Sequence, residues 1–273
     1  MIAIATTDDE IAALQSSLRA LDGEVIDVCS PGGDRRVVLA EVADGQTSER
    51  VAVLLRQRGL MAVTRPGSGA GLIAWQRSTA PVRFGDRLSV CLAWSEHDRT
   101  GLANLIELGP GGFGSGHHPT TRMIIEYLIE HLCGGESLLD VGCGSGIISL
   151  AAVALGAGRA VGVDVKPEAV AATSRNASLN RQDDKIEATD ACLEEIDGSF
   201  DMVVANVARS GVVALAPQLV GHVGDGGQLV ISGISPSQCD QVVGFLAPLV
   251  EVERRAEGDW AVVALHRPRA KRA

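Results

Sequence analysis

The segment LLDVGCGSGIISLAAVALGAGRAVGVDV, residues 138–165, constrains the fold more than any other. Ser137–Val141 is an apolar run that reads as a buried strand, with Asp140 one residue before its end. Gly142, Gly144 and Gly146 follow at alternate positions, and Ile147–Leu155 then has the character of a helix. Glycines so placed permit positive φ and let the backbone approach a ligand closely. Ala160–Asp164 forms the next strand and ends in a carboxylate. Strand, glycine loop, helix and strand make the start of an open parallel sheet. The ligands of such sheets bind outside the carboxyl ends of the strands.

The alternation continues downstream. A helix runs from Pro167 to about Asn180, and Lys185–Ala188 and Phe200–Ala205 are strands. Gly211–Val223 is expected as one helix containing Pro217, Gln228–Ser232 as a strand and Pro236–Leu246 as a helix. Val250–Arg254 and Trp260–Leu265 pair as an antiparallel hairpin across Glu257-Gly258-Asp259. The pattern implies a parallel sheet with helices on both faces, a doubly wound, Rossmann-like α/β domain over residues 111–273. Residues 1–66 have a different order. Strands at Met1–Thr6, Glu24–Cys29, Arg36–Val42 and Leu60–Thr64 flank helices that begin at Asp8 and span Ser48–Arg58. This β-α-β-β-α-β order predicts a small α+β, ferredoxin-like domain. Residues 67–110, from the PGSGAG stretch to LANLIEL, read as a linker with a β extension.

Composition narrows the function. The formal charge of −10 repels nucleic-acid phosphate and anionic lipid, so neither nucleic acid nor membrane is an expected partner. The basic tail Arg267, Arg269, Lys271 and Arg272 is short and reads as a frayed end. Six scattered cysteines without a C-x-x-C pair argue against zinc and against a disulfide framework, and no metal is expected. Reduced thiols and the lack of a secretory signal fit a cytoplasmic enzyme.

The glycine loop has two readings. A nicotinamide site would show G-x-G-x-x-G, but the spacing here is G-C-G-S-G. Asp140 before the loop would repel a pyrophosphate, whereas it suits the sulfonium and ammonium of S-adenosylmethionine. Asp164 is then the acceptor for the ribose hydroxyls. In GPGGFGSGHHPTTRMIIEYL, residues 109–128, glycines lead to Pro119, and Thr120 and Thr121 are expected to cap the following helix. His117 and His118 lack partners at ligand spacing, so hydrogen bonding or packing is their expected role. Phe200–Ala205 leads to Asn206, whose amide oxygen could accept from an amine and aim its lone pair at a methyl group. Taken alone, Asn206 could equally be a turn residue.

Together these segments resemble the bacterial PrmA family, which methylates large-subunit ribosomal protein eleven. Phe113-Gly114-Ser115-Gly116-His117-His118-Pro119-Thr120-Thr121 resembles the family's FGTG-x-H-P-TT, and Asp140–Ile147 its D-x-G-C-G-S-G-I. Ala205-Asn206-Val207 resembles A-N-I, and Trp75, Pro81, Gly85 and Asp86 its connector. The resemblance implies a class I methyltransferase that uses S-adenosylmethionine as methyl donor. It also implies an N-terminal domain that captures a basic ribosomal protein. Thr121, Gly142, Asp164 and Asn206 are the cofactor-site residues by motif, with Phe113, Gly144 and Asp190 completing the expected set and Asn206 as the catalytic residue. Val207-Ala208-Arg209-Ser210-Gly211 departs from the family's Ala and Pro-Leu. That change keeps a small-molecule amine or indole-like acceptor as the alternative, and a cofactor-binding module without catalysis as a third reading.

Overall fold

The computed structural model describes the backbone of residues 2–7, 23–32, 35–42 and 61–64, and residues 80–93, 95, 98–109, 114 and 116–269 in full. The chain divides into two compact units, Met1–Val82 with Cys91–Thr100, and Arg83–Val90 with Gly101–Ala273. In the first, β1 (Ile2–Thr7), β2 (Gly23–Gly32), β3 (Arg35–Val42) and β4 (Met61–Thr64) form an antiparallel sheet in the order β2-β3-β1-β4. Ile4 lies opposite Val38 on one side and Ala62 on the other. This is the strand order of a ferredoxin-like sheet. The helices expected near 8–22 and 48–58, and the PGSGAG linker with Trp75, lie outside the described residues.

Three short strands follow, β5 (Val82–Phe84), β6 (Leu88–Leu92) and β7 (Leu105–Leu108), in the order β5-β6-β7. Helix α1 (Pro119–His131) then leads into the main sheet: β8 (Ser137–Val141), α2 (Ile147–Ala154), β9 (Arg159–Val163), α3 (Pro167–Leu179), β10 (Ile186–Thr189) and β11 (Phe200–Asn206). The chain continues with α4 (Arg209–Ala214), α5 (Ala216–His222), β12 (Val223–Ile234), α6 (Cys239–Gly244), β13 (Val250–Glu257) and β14 (Trp260–His266). Seven strands line up as β10-β9-β8-β11-β12-β14-β13. The first five are parallel, and β14 runs antiparallel to β12 and β13. The C-terminal hairpin thus extends the main sheet, with Ile231 opposite Val263.

Alternation along the strands divides the core into two layers. Leu139, Val141, Val203, Ala205, Leu229, Ile231, Val263 and Leu265 pack with Leu219 and Val242 from the helices after β11 and with Leu246 just past α6. The intervening residues, among them Leu138, Val204, Val230 and Ala264, are also buried and face the other way. Helix α1 packs on β12 and β14, and α2 packs on β8 and β9.

Two helix expectations need correction. The predicted single helix over 211–223 is two helices that meet at Leu215, with Pro217 in the first turn of the second. Proline lacks an N–H and its ring clashes with the carbonyl four residues back, so a continuous helix through 217 is disfavoured. The predicted helix 236–246 is a 3₁₀ turn, Pro236–Gln238, followed by α6. Its start is held by a reciprocal cap between Ser235 and Gln238. The basic tail is also better anchored than expected. The Arg267 amide donates to the Gly227 carbonyl at 2.9 Å, and its guanidinium donates to the Val220 carbonyl. Lys271 and Arg272 lie outside the described residues.

Two asparagines one turn apart, Asn176 on α3 and Asn180 at its C-cap, stitch β7 to the glycine loop. The Asn180 carboxamide accepts from the Glu107 amide and donates to the Glu107 carbonyl, both at 2.8 Å, as a neighbouring strand would. Asn176 accepts from the Gly109 amide at 2.8 Å and donates to the Ser145 carbonyl at 2.8 Å. Replacing Asn180 by Ala strips two backbone groups of their partners, at a cost of about 1–3 kcal/mol. Thermal denaturation should show a melting temperature lower by roughly 2–4 °C for each kcal/mol lost. An unchanged melting temperature would show that the stitch contributes nothing.

Candidate functional site

The site lies along the carboxyl edge of the parallel strands. The Gly142 and Cys143 amides both donate to the Val163 carbonyl, at 2.8 and 3.1 Å. The Gly144 amide donates to Asp164 Oδ2 at 3.1 Å. Three successive loop amides are therefore spent on the end of β9. A dinucleotide loop presents such amides to a pyrophosphate; this one turns them inward, against a carboxylate. Gly142 has φ 78°, and a Cβ there would stand 2.5 Å from Val207 Cγ1. Close approach and a left-handed backbone thus both require glycine at 142.

Asp164 is partly exposed, and its other oxygen accepts from the Lys166 amide at 3.0 Å. A carboxylate offers about four acceptor positions. Two serve the protein, which leaves capacity for ligand hydroxyls. Beside it Val165 is 90% exposed, a bare apolar side chain at the rim of the site. Asp190 is exposed and follows Thr189 at the end of β10, where the Thr189 carbonyl accepts from the Asp164 amide at 3.2 Å. Asp164 and Asp190 therefore stand on adjacent strand ends.

Asp140 is fully buried on β8, on the face turned toward α2. Its Oδ2 accepts from the Ser149 amide at 3.2 Å and the Ser149 hydroxyl at 2.8 Å, while Oδ1 has no hydrogen-bond partner among the described residues. Burial lifts its pKa to about 6, against the opposing pull of the Ser149 bonds. Burial likewise pushes the neighbouring Cys143 thiol up to about 12, so it is not a nucleophile at neutral pH.

On the other side of the loop, α1 begins at Pro119, and the expected caps are corrected. His118 is the N-cap, with Nδ1 accepting from the Thr120 amide at 3.4 Å and lying 2.8 Å from the Thr120 hydroxyl. Proline suits the first helical position because it has no N–H to satisfy. That moves the cap to 118 and leaves Thr120 and Thr121 inside the helix and buried. The His118 ring meets Trp260 edge-on, with centroids 5.0 Å apart. Thr121 Oγ1 lies 3.5 Å from Asn206 Nδ2, so α1 and the end of β11 converge. Ser145 Oγ donates to the Gly114 carbonyl at 2.6 Å, seating that segment on the loop. Gly233 has φ 82°, and a Cβ there would stand 2.3 Å from the Val207 carbonyl.

Thr121, Gly142, Gly144, Asp164, Asp190 and Asn206 thus occupy one edge, whereas Phe113 lies outside the described residues. Sequence reading missed Val165, Trp260 and the bracing asparagines, since none belongs to a glycine or acidic motif. Among the described residues there is no cluster of His, Cys, Asp or Glu that could hold a metal ion, and no helix is long and apolar enough to cross a membrane.

Residues 71–268 match the family model of Ribosomal protein L11 methyltransferase (PrmA). The chain belongs to this family. The Ribosomal protein L11 methyltransferase of Pelobacter propionicus is 40% identical over 203 residues, 71% of this chain and 65% of that protein. The one from Thiobacillus denitrificans is 39% identical over 218 residues, 78% of this chain and 72% of that protein. The crystal structure of ribosomal protein L11 methylase from Lactobacillus delbrueckii subsp. bulgaricus superposes with a TM-score of 0.63 at 29% identity, covering 69% of this chain and 98% of that one. The chain spans slightly less than two thirds of the Pelobacter relative, at 65% of its length.

The raised Asp140 pKa has a consequence for stability. The folded state holds this proton more tightly than the unfolded chain, whose carboxyl titrates near the ordinary 3.8. The contribution is therefore fully present below about pH 4 and is lost as pH rises through about 6, a change on the order of 2–3 kcal/mol. Denaturant titrations of wild type and Asp140→Asn at pH 4.5 and 7.5 should show that the variant gains on wild type as pH rises. Parallel pH dependences would remove Asp140 as the cause.

Proposed function

We propose that this chain is an S-adenosylmethionine-dependent methyltransferase of protein amines, acting in the cytoplasm on a basic ribosomal protein, large-subunit protein L11. One observation carries the reading. A glycine loop braced by Asp164 and an amide side chain, Asn206, share one sheet edge, separated only by the step from β8 to β11.

The residues fit the cofactor. Asp164 and Asp190 offer carboxylate acceptors to the polar edges of an adenosine, and Val165 offers an apolar surface to its base. Asp140, with its unpartnered oxygen, makes the loop acidic, which favours a cationic ligand over a phosphate. When bound, S-adenosylmethionine supplies a methyl group on an electron-poor sulfur. The protein's part is then mainly positioning. Thr121 holds the Asn206 amide nitrogen, leaving the amide oxygen to accept an N–H from the acceptor amine and direct its lone pair. The acceptor must arrive neutral, and a lysine near pKa 10.4 gives up its proton less readily than an α-amine near 8. The first unit, with its own antiparallel sheet, is the proposed surface for capturing the ribosomal protein. The departure at Val207–Gly211 supports the alternative, a small-molecule amine or indole-like acceptor, because Val207 packs directly over Gly142.

Full-length enzyme should transfer labelled methyl from S-adenosylmethionine to purified L11, with mass spectrometry locating it on nitrogen. Asp164→Ala should weaken cofactor binding by about 1–3 kcal/mol in calorimetry. Asn206→Ala should lower turnover far more than cofactor affinity. Unchanged affinity in the first variant, or full turnover in the second, contradicts the assigned roles. Transfer to small amines but not to L11 favours the alternative.

A further inference from the structure

The carboxyl edge of the sheet continues past Asn206. From the donor side outward it runs β9 with Asp164, β8 with the glycine loop, β11 with Asn206, then β12 and β14. Asn206 lies opposite Ser232, and Ile234 lies opposite Ala261. Because β14 is antiparallel, it is its beginning, Trp260, that reaches this edge. Trp260 stands two strands over from Asn206, about 10 Å sideways at the usual interstrand distance, and further along the edge by roughly two residues, beyond the level of Ile234. The Trp260 side chain is only partly buried, and its ring is steadied by the edge of His118. His118 caps α1, whose Thr121 touches Asn206. An aromatic surface thus lies on the side of the reacting point away from the glycine loop, bound to it through one helix turn.

The geometry points to Trp260 as the residue that selects a lysine side chain as acceptor, its indole lying along the four-carbon stem of a lysine whose amine is at Asn206. This rests on the proposed amine methylation and goes beyond it by naming the residue that favours a lysine side chain over an α-amine. A lysine reaches Asn206 over β12 through a chain of methylenes, which an aromatic face covers well and water does not. A chain-terminal α-amine has no such stem and gains nothing from the indole. His118 is a positioning residue here: it holds the ring and touches no substrate.

The test uses the full chain, S-adenosylmethionine and purified L11, with lysine and α-amine methylation counted separately by mass spectrometry. Calorimetry with S-adenosylhomocysteine reports on the donor side. Trp260→Ala should lower kcat/KM at lysine about tenfold, mainly through KM, the worth of one aromatic contact. α-Amine methylation and S-adenosylhomocysteine affinity should stay unchanged. Trp260→Phe should restore most of the lysine rate. His118→Asn keeps a good N-cap and removes the ring, so it should show a smaller loss confined to lysine. Equal losses at lysine and α-amine, no recovery in Trp260→Phe, or a wild type that methylates only the α-amine would overturn the inference. Should Trp260→Ala fail to fold, His118→Asn and Trp260→Phe decide by the same lysine-to-α-amine ratio. A wild type that binds S-adenosylhomocysteine but methylates no protein amine would refute the proposed function itself.

Discussion

The convergence of three loop amides on the end of β9 organises the rest of the site. Val163 takes two of them and Asp164 the third, so the loop's path is set by its neighbouring strand. Ser145 then holds Gly114 with its hydroxyl and Asn176 with its carbonyl. The segment leading to α1 is therefore tied to the loop at Gly114 and, through Asn176, at Gly109. The glycine loop and the segment before α1 thus share one hydrogen-bonded frame. The Gly142, Cys143 and Gly144 amides are engaged within that frame, on the Val163 carbonyl and the Asp164 carboxylate.

A second constraint is the depth of Asp140. Alternation along β8 sends its neighbours Leu139 and Val141 into one core layer and Asp140 toward α2. There Ser149 satisfies one carboxylate oxygen but not the other. A polar group so placed is a liability for folding and is tolerated where function needs it. The acidic loop thus carries a built-in cost of the same order as one lost buried hydrogen bond.

What could be read from sequence was what local chemistry dictates. Glycines at 142, 144 and 146 need positive φ, apolar runs need burial, and Asp164 and Asn206 end their strands; all are visible at short range. The hairpin at Gly258-Asp259 was visible too, but its place beside β12 was not, since nothing local distinguishes a hairpin at the sheet edge from a separate one. The break at Leu215 is legible in Pro217, whose ring clashes with the turn that a continuous helix would place before it. The cap at His118 was obscured by two threonines with better capping statistics, and Pro119 decided against them. Asn176, Asn180 and Trp260 act on residues far away in the chain, and no spacing rule links 180 to 107 or 260 to 118.

The mixed sheet gives its two halves unequal freedom to change. The donor half is made of crossover units, in which altering one loop disturbs a helix, two strands and the loop's own hydrogen bonds. The other half ends in a hairpin whose turn, Gly258-Asp259, is exposed. Insertions or replacements there would reshape what approaches Asn206 and leave the glycine loop untouched. A scaffold divided in this way can change one ribbon by drift while its glycine loop stays fixed.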